Sequence, residues 1–224
     1  MKIPQIFDLN KELPEVASAE ELETIKTLDE ICQKIAQVIS IDAQFPEEYT
    51  HTVLQLKDQV TSSVRASVVL GHAFFLLNEY SAMNDLYEEL IKIHGESHIL
   101  LFYLAFSKEK LNDPQKALEI YKKIIGSGCK NFHVYMQAAK IYRKEELYTE
   151  SIAMANLAVY ENEHDSIEPF VVMAHNFLDS EEINRMFECF SRIEKIAGKE
   201  VLQNIGEIFD DHKDVYNNVK KMIK

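Results

Sequence analysis

Apolar residues recur along most of this chain at helical spacing. Between Ser18 and Ser40 they fall at Leu22, Ile25, Leu28, Ile31, Ile35 and Ile39, three or four residues apart. That spacing predicts a helix with one buried face. Ser18 and Glu21 form the pattern of a capping box at its start. Tyr49, Val53, Leu56 and Val60 predict a second helix, with Pro46 suited to its first turn. Ahead of both, Pro4 and Pro14 discourage helix, so residues 1–17 are expected to be extended or poorly ordered. The pair over 18–63 reads equally as a worn repeat or as a separate cap.

From Val64 the helical pattern itself repeats. Small residues stand at Gly71, Ala105, Ala139 and Ala174, at spacings of 34, 34 and 35. Sixteen residues after each come Tyr87, Tyr121, Ala155 and Phe190, a bulky series that Ala155 breaks. A fixed period of this length is that of helix pairs stacked side by side. In the first unit Leu70, Gly71 and Phe74 belong to the first helix, and Tyr80, Met83, Tyr87 and Leu90 to the second. The second unit has Leu101, Leu104 and Ala105, then Ala117, Tyr121 and Ile124, with Asp113-Pro114 as a strong helix start. Tyr135, Ala138, Ala139 and Tyr142 precede Tyr148, Ser151, Ala155 and Ala158 in the third. The fourth has Phe170, Met173, Ala174 and Phe177, then Ile183, Met186, Phe190 and Ile193.

These positions resemble the tetratricopeptide repeat family over residues 64–200. The family pattern sets an aromatic or apolar residue, Leu-Gly/Ala and Tyr on the first helix. An Ala, an aromatic and another small residue follow on the second. Small residues let crossing helices approach, and aromatics fill the grooves between neighbours. The chain departs from the pattern at Lys108 (Tyr expected), Ser67 (an aromatic expected), and Met83 and Met186 (Ala expected). The Pro that often closes a unit is absent. The resemblance implies an all-α fold: a right-handed α-solenoid of helix–turn–helix repeats with N-terminal helices and a C-terminal cap. The repeats are expected at 64–97, 98–131, 132–165 and 167–200. Residues 201–224, carrying Val201, Ile205, Ile208 and Phe209, are expected to cover the open end.

Charge narrows the function classes. A net charge of −13 and a pI near 5.1 oppose binding to nucleic acid or to anionic membranes. No apolar stretch is long enough for a signal peptide or a bilayer span. Cys32, Cys129 and Cys189 are scattered and form no CxxC pair, which suits a reducing cytoplasm. There is no Gly-rich phosphate loop, nucleophile elbow or HExxH, so neither an enzyme nor a cofactor is expected. His94 and His98 offer two ligands without further partners, too few to imply a metal. Adjacent carboxylates at Glu145-Glu146, Glu181-Glu182 and Asp210-Asp211 point in different directions on a helix and make no acid/base couple.

The resemblance also implies a concave groove lined by first helices. Projected onto this chain, its positions are Val68, His72, Phe75 and Leu76 in the first unit, and Phe102, Phe106, Glu109 and Lys110 in the second. Met136, Lys140, Arg143 and Lys144 follow in the third, and Val171, His175, Leu178 and Asp179 in the fourth. One half is aromatic, and the other carries a basic cluster. Such a surface would hold an extended or helical segment of another protein, aromatics as anchors and cations on a carboxylate. The expected role is thus a cytoplasmic scaffold, adaptor or complex subunit, with self-association left open. The alternatives are a type III secretion chaperone of the same repeat class and, behind it, a peptide-sensing regulator. The Lys/Asn/Asn/Lys/Arg set of chaperone-tail adaptors is not matched, because Val68 and His72 occupy two of its positions.

Overall fold

The computed structural model describes residues 18–40, 47–60, 63–161 and 166–201. The expected extended segment 1–17 lies outside them, as does the expected cap beyond Val201. All regular structure among the described residues is α-helical. The helices are α1 (Ala19–Ser40), α2 (Glu47–Val60), α3 (Val64–Leu76), α4 (Tyr80–His94) and α5 (His98–Lys110). They continue with α6 (Pro114–Gly126), α7 (Phe132–Lys144), α8 (Tyr148–Tyr160), α9 (Glu168–Asp179) and α10 (Ile183–Ala197). The chain divides into two compact units, 1–129 and 130–224, parted between the second and third expected repeats.

Side-chain caps set the starts of three of the four first helices, and α9 begins without one. Ser63, Ser97 and Asn131 stand 34 residues apart and cap α3, α5 and α7. Their side-chain oxygens accept from Ala66 N–H (3.1 Å), Leu100 N–H (3.3 Å) and Val134 N–H (3.2 Å). Each oxygen satisfies a donor that the helix start leaves open.

The turn that follows is the same in all four repeats. Asn78, Asn112, Glu146 and Glu181 adopt φ of 61°, 62°, 59° and 61°. They recur at 34, 34 and 35 residues, the period of the small-residue series. In the first turn the N–H of Asn78 donates to Phe75 O (3.1 Å) and that of Glu79 to Phe74 O (2.8 Å). This is the left-handed helix ending that ties off two terminal carbonyls. Lys108, Tyr142 and Phe177 carbonyls receive the equivalent longer-range bond in the other three turns. A three-residue link so fixed returns the chain as an antiparallel second helix.

In the first unit, α5 packs on α4 and α6, and α3 on α2 and α4. Helix α1 lies chiefly against α3 and only slightly against α2, so these two do not form a hairpin like those that follow. Leu28, Ile31 and Ile35 from α1 join Val53 and Val60 from α2 in one core with Leu70, Phe74, Met83, Leu86 and Tyr87. Gly71 sits under Tyr87, and a Cβ there would overlap the tyrosine hydroxyl. The departures from the repeat pattern have local partners. Ser67 Oγ donates to the Val60 carbonyl at 2.8 Å, joining α3 to the end of α2. Lys108 reaches back to Glu88 on α4, Nζ to Oε1 at 2.7 Å. Met83 is buried where Ala was expected and fills the space with a flexible side chain.

In the second unit, α7 packs on α8, α8 on α9, and α9 on α10. Ala155, the exception in the bulky series, is buried with Ala139. Ser151 Oγ donates to the Ala139 carbonyl (2.7 Å) and accepts from Asn176 Nδ2 (2.7 Å). Three helices are thereby tied through one hydroxyl. The last pair closes on Met186, Cys189, Phe190 and Ile193, with Arg185 over the Phe177 ring at 4.2 Å.

Candidate functional site

The first helices α3 and α5 bring the expected aromatics of the first unit together. Phe75 and Phe106 touch across the helix pair, ring centroids 5.5 Å apart, and both remain partly exposed. Phe102 stacks nearly parallel on Phe106 at 6.4 Å and also meets Tyr121 at 5.8 Å. It is only 1 % exposed, so it backs the pair instead of offering surface. Tyr80 flanks Phe75 at 6.2 Å, and Lys110 Nζ lies 5.1 Å over the Phe106 ring. A cation in that place is attracted to the ring face. Val68 and His72 of α3 are buried, at 3 % and 8 % exposed. Burial lowers the His72 pKa to about 4, so its imidazole is neutral near pH 7. Nothing in the local sequence announced Tyr80 as a neighbour of Phe75, because the contact depends on the left-handed turn at Asn78.

The expected site residues of the second unit lie on α7 and α9. Met136 is buried, whereas Val171 and His175 are partly exposed. Lys140 and Arg143 have carboxylate partners on α9. Lys140 Nζ meets Glu168 Oε1 at 2.5 Å, and Arg143 Nη2 meets Asp179 Oδ2 at 3.2 Å. Lys144 is exposed. Arg143 Nε is buried without a hydrogen-bond partner. The basic cluster is therefore a pair of bridges between first helices, partly open to solvent. These exposed pairs contribute little stability on their own. Glu168 was not readable as a partner of Lys140, 28 residues earlier; only the packing of α9 on α7 places it there.

The remaining reactive groups are quiet. Burial pushes the Cys32 thiol up to about 12 and the Cys189 thiol to about 11, which disfavours the reactive thiolate. His98 Nε2 lies 2.8 Å from Ser127 Oγ. Among the described residues no group of His, Cys, Asp and Glu is arranged to hold a metal, and no helix is long and apolar enough to cross a membrane.

No protein-family model matches the chain, and no curated protein matches it in sequence. Solved structures do. MamA 41-end from Desulfovibrio magneticus RS-1 superposes with a TM-score of 0.59 at 14% identity, covering 77% of this chain and 94% of its own. YrrB, described as a tetratricopeptide protein with an unusual peptide-binding site, gives 0.56 at 14% identity, covering 92% and 100%. TTC0263, a tetratricopeptide protein of Thermus thermophilus, gives 0.54 at 16% identity, covering 71% and 89%. At such identities the likeness is one of fold.

Proposed function

Proceeding from a chain of tetratricopeptide-type fold, we propose that it is a non-catalytic protein-interaction module. It takes an extended or helical segment of a partner protein on its first helices. The observation that carries this reading is the partly exposed Phe75–Phe106 pair on neighbouring first helices, with Lys110 over its rim. Half-buried aromatics backed by rigid neighbours lose little entropy on binding and are typical anchors. The second unit, taken by itself, carries a separate candidate surface of Lys140, Arg143, Lys144, Val171 and His175 on α7 and α9, where a carboxylate would bind by replacing Glu168 or Asp179 on a cation. The peptide-binding site described for YrrB supports the reading by analogy of fold.

The test is affinity capture from the native source, quantified by mass spectrometry. The F75A/F106A chain is expected to lose its specific co-purifying protein about tenfold or more, since anchors of this kind carry upwards of ~1.4 kcal/mol. A control chain, L157S/Y160S, altered at exposed positions of the second helix α8, is expected to keep it. Full retention by a folded F75A/F106A chain rejects the first-helix face as the site.

A further inference from the structure

Ser151 decides how the Asn176 amide is turned. A serine hydroxyl carries one proton. That of Ser151 goes to the Ala139 carbonyl on α7, 2.7 Å away, so toward Asn176 on α9 its Oγ can only accept. The amide therefore sets Nδ2 on Ser151, at 2.7 Å, and turns Oδ1 away from it. Asn176 is wholly buried, and its Oδ1 meets no donor. A carbonyl oxygen buried in this way has given up water without compensation.

A matching donor stands on α7. Arg143 lies one turn beyond Ala139, as Asp179 lies one turn beyond Asn176. Two links thus join the same faces of α7 and α9 a turn apart. One is Ala139–Ser151–Asn176, and the other is Arg143 Nη2 to Asp179 Oδ2 at 3.2 Å. Asn176 Oδ1 is two bonds from the first link, and Arg143 Nε is two bonds from the second. Nε too is buried, without an acceptor. Among the described residues of the second unit these are the two buried side-chain polar atoms without a hydrogen bond, one donor and one acceptor. Four residues of helix rise about 6 Å, close to the roughly 4.5–5.5 Å that one water spans between two heavy atoms. An anion would suit Nε–H but be repelled by Oδ1, and a cation would suit Oδ1 but be repelled by the guanidinium. A sealed seam needs a small ligand that both accepts and donates, which is water.

We propose that the seam between α7, α8 and α9 binds one internal water, which accepts from Arg143 Nε–H and donates to Asn176 Oδ1. The water holds the inner edge of the guanidinium while Nη2 faces Asp179. Asn176 is thereby a positioning residue for Arg143. The functional meaning rests on the proposed carboxylate binding by the second unit, whereas the water itself does not. A carboxylate that replaces Asp179 meets a guanidinium already fixed in place, so less side-chain freedom is lost on binding.

A crystal structure of the full chain, at a resolution that shows ordered waters, is the first test. The expected result is a density peak within hydrogen-bond distance of both Arg143 Nε and Asn176 Oδ1. A dry gap, a direct bond between the two atoms, or a peak that reaches only one of them overturns the proposal. In solution the Arg143 Nε–H signal, identified by its loss in Arg143→Lys, is expected to show a water cross-peak of dipolar rather than exchange origin. Asn176→Leu is expected to abolish that cross-peak and to lower the heteronuclear Overhauser effect at Arg143 Nε, as the guanidinium comes loose. A folded Asn176→Leu chain that keeps either signal unchanged also overturns the proposal. Should the leucine chain not fold, the crystal peak alone decides. Partner capture by the F75A/F106A chain fails or succeeds independently of these outcomes.

Discussion

Gly71 and Tyr87 show how closely single residues are matched here. The tyrosine is fully buried, its hydroxyl has no hydrogen-bond partner, and it lies where a Cβ of residue 71 would be. Gly71→Ala is therefore expected to cost about 1–3 kcal/mol through overpacking. Urea unfolding checks this, and Tyr87→Phe in the same chain should recover part of the loss. His72 makes a second prediction at this scale. Its folded pKa of about 4 lies below the ordinary 6.5 because burial disfavours the charged ring. Between those values the unfolded chain binds a proton that the folded chain refuses. The stability so held is present above pH 6.5 and drains as pH falls toward 4, by at most about 3 kcal/mol. Unfolding curves at pH 7 and pH 4.5 should thus differ less for His72→Gln than for the parent. An equal difference would show that His72 does not titrate as its burial requires.

At the scale of elements, the four left-handed turns carry unequal residues. Asn78 and Asn112 tolerate positive φ, whereas Glu146 and Glu181 adopt it against their steric preference. Glu146→Asn and Glu181→Asn are each expected to stabilise by about 0.5–1 kcal/mol, read as a raised urea midpoint with an unchanged slope. No change would mean that the glutamates relieve the strain by contacts of their own. These turns also show what a reading of periodicity misses. The hydrophobic period locates the helices well: α4, α6, α8 and α10 begin 34, 34 and 35 residues apart, in step with the small-residue series. From sequence the acidic pairs 145–146 and 181–182 read only as carboxylates that make no acid/base couple, on solvated faces or at helix starts. Their place in a helix ending becomes clear only when the backbone hydrogen bonds are followed. Likewise Lys108 reads as a defect in the pattern until its partner Glu88, twenty residues earlier, is brought beside it by the packing of α5 on α4.

For the molecule as a whole, charge is the governing quantity. At −13 near neutral pH, copies repel one another, and the repulsion vanishes near the pI of about 5.1. Light scattering at low salt should therefore rise sharply as pH is lowered from 7 to 5. Scattering that stays flat would point to a surface without associating apolar patches, in spite of Tyr160 at 84 % exposure. Of the candidate site, the aromatic positions Phe75 and Phe106 were legible in the sequence, because their register follows from the repeat. What the sequence determined by itself was the helical class, the period and the helix starts, since spacing and caps act within a few residues. Tertiary structure alone decided that Val68, Phe102 and Met136 are buried, and that Lys140 and Arg143 meet carboxylates. It alone set α1 against α3. Those outcomes depend on side chains far apart in sequence meeting across helices, which no local pattern encodes.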